Sequence, residues 1–342
     1  MKNKSKLLLL PVSLFLVTGC ATANTSIPRG YTDVDKSDVA AREAFFNKVS
    51  DDIALTYAKA AEGFSMEGSF GIKELYYKKG ANNSFRLSNF EADYSFGLVG
   101  LNEGTNKAKA MLKVENLGFK LNIVDDGKEY SIKASDLDAA AYYTDSSLYY
   151  DLSDKDIKNF VNDAIKLDYE MDGKADKKDE IAAEQEKAAK YLGKYYIKGS
   201  SSVENVVDDI PTGLDAETKA EIKETISEVF EGLLAQDKVK DLLTLAEDKN
   251  SKGAAVAFAL SSEPVEVEGM KVSGDLAASV VFDKEGLFSR FGFAGSVEAS
   301  DAKDANDGAQ IKLSKLDLGA NFKYGANSVK LPNFSDYQQF GK

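Results

Sequence analysis

The sequence predicts an α+β chain built on a large curved antiparallel sheet, a half-barrel, with helices packed on its concave face. Three observations predict it. Two long tracts, 64–152 and 254 onward, alternate apolar and polar residues with period two. Helical spacing is confined to the segments before and between them. The helical segments 37–62, 153–168 and 215–247 are amphipathic, and they are the material available to cover the apolar face of the sheet.

The elements follow in order. "MKNKSK" is basic, and "LLLLPVSLFLV" is an apolar run of eleven residues. Spanning a bilayer as a helix takes about 20 residues, so this run is too short. A basic segment, a short apolar run and a small-residue boundary make a secretory signal peptide over 1–19. Cys20 is the only cysteine and there is no histidine. An intramolecular disulfide, a cysteine metal cluster and any catalytic histidine arrangement are therefore excluded. Residues 20–36, broken by Pro28 and Gly30, read as a tether reaching at most about 55 Å.

From residue 37 to the end the sequence reads as one α+β domain with a helical insertion at about 153–248. Ser37 is the expected N-cap of a helix whose stripe is Phe46, Val49, Ile53, Tyr57 and Ala60. Phe64, Met66, Gly68, Phe70 and Ile72 then alternate. Parity shifts between Leu87 and Phe90, which predicts a bulge there. Asp125-Asp126-Gly127 marks a hairpin, and a second hairpin turns at 144–147. Ser153 or Asp154 caps a helix carrying Ile157, Phe160, Val161 and Ile165. The charged and alanine-rich stretch 174–193 reads as an exposed helix or a flexible insertion. Ile222, Ile226, Val229 and Leu233, then Val239, Leu242 and Leu243, predict one broken helix or two. The last long strand carries Ile311 and Leu313, then Leu316, Leu318, Ala320 and Phe322.

Composition limits function. Net charge is −13, and removal of Lys2, Lys4 and Lys6 with the signal takes it to −16. Such a chain is repelled by phosphate backbones and anionic lipid heads, which excludes nucleic acid as a partner and requires an anchor at any membrane. The 56 acidic residues offer no pattern from which to choose a catalytic pair, and tryptophan is absent, so the chain does not read as an enzyme. "DAKDANDG" (301–308) fails the calcium-loop spacing, because counting from Asp304 places Lys315 at position twelve. No cofactor or metal is called for. The tyrosine pairs at 76–77, 142–143, 149–150 and 195–196 each read as one core ring and one surface ring.

Val17-Thr18-Gly19-Cys20 resembles the lipobox of bacterial lipoproteins, in which the three residues before the cysteine are read by the signal peptidase. The resemblance implies lipidation of Cys20 by a thioether-linked diacylglycerol and a mature chain beginning there. Acyl chains would then be the partner of a membrane, and the chain would sit outside the cytoplasm, on the outer face of the cell membrane or at the outer membrane of a two-membrane cell. The layout around "EGFSMEG", "YSIKASDLDAAAYYTDSSLYYDLS", "VVFDKEGLFSRFGFAGSV" and "NFKYGANSVKLP" resembles the LolA/LppX-like lipoprotein superfamily. That resemblance implies a half-barrel plugged by helices, with acyl chains held between. Met66, Phe70, Met111, Phe282, Phe291 and Phe293 would line such a cavity and take a lipid or glycolipid. A structural or interaction lipoprotein with a filled core is the other reading of the same residues.

Overall fold

The computed structural model describes residues 25–100, 107–199, 215–267, 269–301, 308–325 and 327–341. The expected signal segment, with Val17, Thr18, Gly19 and the lipidation residue Cys20, lies outside these. So does Asp304.

The fold is α+β, with a thirteen-stranded, mostly antiparallel, curved and unclosed sheet. Helix α1 (Val39–Ala60) starts where the Asp38 carboxylate accepts from the Ala40 and Ala41 amides. The expected cap, Ser37, instead donates its hydroxyl to Asp35. Strands β2 (Gly63–Lys78), β3 (Ser84–Val99), β4 (Lys109–Asp125), β5 (Lys128–Thr144) and β6 (Ser147–Asp151) follow as a meander. Helix α2 (Lys155–Met171), capped by Asp154, and helix α3 (Lys178–Ala189) lead to β7 (Lys194–Lys198), which adds to β6. Helix α4 (Ala216–Leu234) and the single turn α5 (Asp237–Lys240) precede a second meander. It comprises β8 (Leu243–Glu247), β9 (Ala254–Val267), β10 (Met270–Phe282), β11 (Phe288–Asp301) and β12 (Gln310–Tyr324). The two meanders meet where β12 pairs with β2.

Two elements depart from the sequence reading. Residues 243–247 were expected in a helix and form a strand. Its residues Leu243, Leu245 and Ala246 are buried between β9 and β1 (Thr32–Asp33), so tertiary pairing overrides the helical spacing. The expected tether is held in place along part of its length. Arg290 donates to the Ser26 carbonyl, Tyr31 Oη donates to the Phe282 carbonyl at 2.7 Å, Val34 is buried, and Lys36 Nζ donates to the carbonyls of Lys240 and Leu243.

The densest core joins α1 to the β8–β10 end of the sheet. Val34, Phe45, Phe46, Val49, Leu234, Leu245 and Phe282 are all buried there, and Phe46 stacks on Phe230 of α4 at 5.3 Å. Arg42 of α1 makes two hydrogen bonds to Glu231 of α4.

The expected break between Leu87 and Phe90 is present and belongs to a wider pattern. Asn89 has φ +50, and the β3–β4 register shifts beside it. Asn116 (φ +57) on β4, Asp136 (φ +53) on β5 and Lys315 (φ +48) on β12 sit at shifts in the neighbouring ladders. On β9 the shift falls at 263–264, where Pro264 has no amide to leave unpaired. Bulges on neighbouring strands, staggered by a few residues, bend the sheet, and each reverses the side-chain parity of its strand.

Both sheet edges are closed by two-residue strands, β1 on β8 and β13 (Gln338–Gln339) on β7. The segment leading to β13 crosses the sheet so closely that a Cβ on Gly97 would lie 2.5 Å from Val329 Cγ2. Phe334 then stacks on Tyr149 at 3.9 Å.

Candidate ligand-binding face

The parity reversals decide where the apolar side chains go. Phe70 meets Phe90 edge-on at 5.1 Å, Phe90 stacks on Phe119 at 5.9 Å, and Phe119 meets Phe160 of α2 at 5.6 Å. Rings in contact share one face, so residues on both sides of the bulge level point to the side where α2 lies. Ile72 and Leu75, Leu87 and Phe90, and Leu313 and Leu316 are thus three residues apart and on the same face. Strict alternation would have sent half of them to the opposite side.

Cross-strand pairing assembles these residues into rows. One row runs Val265, Val272, Ala299, Ile311, Tyr77, Phe85, Ile123, Tyr130, each paired directly with the next. It crosses eight strands, about 34 Å at the usual strand spacing. The next row runs Val297, Leu313, Leu75, Leu87, Leu121, Ile132. Below the bulges come Leu276, Gly295, Leu316, Ile72, Phe90 and then Phe258, Ala278, Phe293, Leu318, Phe70, Ala92.

Exposure grades along the strands. At the α1 end, Met66 (4%), Ala320 (1%) and Phe282 (3%) are closed off. Phe70, Ile72, Leu75, Leu87, Phe90, Leu313 and Leu318 are half-buried. At the far rim Val265 (52%), Val297 (43%), Ile311 (42%) and Tyr77 (41%) are open to solvent. The face is an apolar trough, closed at one end and open at the other, where single exposed apolar residues would be unremarkable but paired rows are not.

The expected cavity residues divide accordingly. Met66 packs with Ala320 and Phe322, with Phe291 against them. Phe282 belongs to the α1 core. Phe70 and Phe293 stand half-buried in one paired row of the trough. Met111 is separate: it pairs with Gly97 and Tyr142, one residue out of step with Phe96, and so points to the opposite face. The sequence reading missed the two outer rows; the parity shifts at Leu87/Phe90 and Leu313/Leu316 were the signal that would have found them.

A cleft of about 630 Å³ lies on that opposite face beside the C-terminal segment. Glu67, Asp93, Glu115, Lys113, Lys323 and Lys330 are among its lining, and Lys323 pairs with Glu67 at 2.8 Å. Its walls are charged and of mixed sign, which suits water and polar groups better than an acyl chain.

Two polar groups mark the closed end. Tyr324 donates to the Phe288 carbonyl at 2.7 Å, and burial pushes its phenol far above the ordinary value, so it stays a neutral donor. Asp52 of α1 is 3% exposed, and its Oδ2 has no hydrogen-bond partner among the described residues. Burial pushes its carboxyl up to about 7, against the pull of Lys48 and Lys252.

The tyrosine pairs depart from a simple core-and-surface split. Tyr142 and Tyr143 are both buried: Tyr143 packs with Leu98 and Ala108 on one side, and Tyr142 meets Phe334 of the C-terminal segment on the other. Tyr149 packs with Tyr196, Phe334 and Tyr337, while Tyr150 and Tyr195 pack with Phe340 across the edge.

Among the described residues, no helix is long and apolar enough to cross a membrane, and no group of three or more Cys, Asp or Glu is placed to hold a metal. Comparison of the chain with protein-family models, curated protein sequences and solved structures found no match.

Proposed function

We propose that this chain is a lipid-anchored extracytoplasmic lipoprotein that binds or carries a hydrophobic ligand, a lipid or glycolipid, against the apolar face of its sheet. The observation that carries this reading is the set of paired apolar rows left half-exposed between the helices. Fully burying one Leu or Phe side chain contributes about 1.5–3 kcal/mol, so an acyl chain covering several half-exposed ones gains several kcal/mol. No catalysis is proposed, since histidine is absent and the 56 acidic residues offer no pattern from which to choose a catalytic pair. The anchor would be the acyl chains on Cys20, which a net charge of −16 for the mature chain makes necessary at an anionic surface.

Mass spectrometry of lipids co-purifying with a secreted Cys20→Ala form tests the ligand. The expected result is bound lipid in that form and its loss in a form also carrying Leu87→Asp and Leu313→Asp, with the fold retained by circular dichroism. Neither co-purified lipid nor binding of an added fluorescent fatty acid would instead favour a structural or interaction lipoprotein, for which the packed α1 core is the supporting observation. Incorporation of a clickable fatty acid at Cys20 in growing cells tests the anchor separately.

A further inference from the structure

The open rim of the trough and the N-terminal segment lie at opposite ends of the same strands. The segment is secured at the closed end: Tyr31 bonds the Phe282 carbonyl, Thr32 and Asp33 pair with the start of the second meander at Glu247 and Ala246, and Arg290 holds Ser26. Arg290 precedes Phe291, which faces the trough, so the guanidinium leaves from the other side of the sheet. The open rim lies further along the same strand, β11, at Val297 and Ala299. The nine residue steps of strand from Arg290 to Ala299 span about 30 Å. The six residue steps from Cys20 to Ser26 reach about 20 Å at full extension.

We infer that the anchored chain stands with its closed end on the membrane and the mouth of its apolar trough at the far end, so that an acyl-bearing ligand enters from the side away from the anchoring bilayer. This rests on the lipid-anchor reading above. Ser26 lies beside the covered end and behind the apolar face, and a reach of about 20 Å from it is shorter than the span of about 30 Å to the rim, so the anchor cannot hold the chain rim-down and favours the closed end toward the bilayer. The strong negative charge of the chain also opposes lying flat on an anionic surface. A ligand of this protein is then a lipid presented from beyond its own membrane, and extraction of lipids from that membrane is disfavoured.

Energy transfer to an acceptor lipid tests the orientation. The full acylated chain is reconstituted in vesicles, with a donor dye on Glu285→Cys at the closed end or on Val297→Cys at the rim; acylated Cys20 does not react with the dye. The expected result is transfer several-fold stronger from position 285 than from position 297. A chain that floats with vesicles but transfers equally from both positions, or more strongly from 297, overturns the orientation alone. A chain that fails to float with vesicles overturns the anchoring on which it rests.

Discussion

Replacing Asp52 with asparagine keeps the shape of the side chain and removes its charge. In the folded chain this carboxyl is 3% exposed, one oxygen lacks a partner, and its pKa is pushed from 3.8 to about 7. Burial is the main cause, and Asp51 and Asp283 push the same way. Because the folded form holds the proton more tightly than the unfolded form, the contribution of this group to stability is fullest below pH 3.8 and is lost as pH rises toward 7. Each unit corresponds to about 1.4 kcal/mol, so the interval amounts to about 4 kcal/mol. Asp52→Asn removes that dependence. Urea unfolding of the secreted Cys20→Ala form between pH 4 and 8 is the assay. The variant is expected to be more stable than its parent by up to about 4 kcal/mol at pH 8, with the two curves converging near pH 4. Parallel pH profiles, or a variant less stable than its parent at pH 8, would refute the account of a carboxylate buried at a cost.

Three further outcomes follow from particular contacts. Gly286 has φ +82, and a Cβ there would meet Asp52 Oδ1, so Gly286→Ala should lower unfolding stability by about 1–3 kcal/mol in the same titration. Asn89→Val places a β-branched residue at φ +50 and should cost about 1–2 kcal/mol, whereas Asn89→Gly should be tolerated; thermal melts of the pair separate backbone strain from lost side-chain contacts. Phe46, 1% exposed and stacked on Phe230, should lose about 3–5 kcal/mol on replacement by alanine, read from its denaturation midpoint.

Much of this was legible in the chain. Alternation marked the strands, and Asp125-Asp126-Gly127 and Asp283 to Gly286 turn where turn chemistry placed them. The parity step between Leu87 and Phe90 was readable because each long strand carries its own record of which side is apolar. The lost helix at 243–247 was not readable, since Leu243 and Leu245 satisfy either periodicity over so few residues and only the partners β1 and β9 decide between them. Met111 shows the same limit in reverse: hydrophobicity named it a candidate for the trough, while ladder register sent it to the other face.

The sequence alone determined the class of fold, the two meanders with helices between, the acidic surface and the chemistry that a chain without histidine is denied. Those properties are local or additive: periodicity, turn residues and charge act over a few positions or sum over all of them. Tertiary structure alone decided that bulges on neighbouring strands fall within a few residues of one another, that the apolar rows join into one trough, and that the trough closes at α1 and opens at the rim. Each depends on register between residues far apart in the chain, as between Ile311 and Tyr77, and no single strand contains that information.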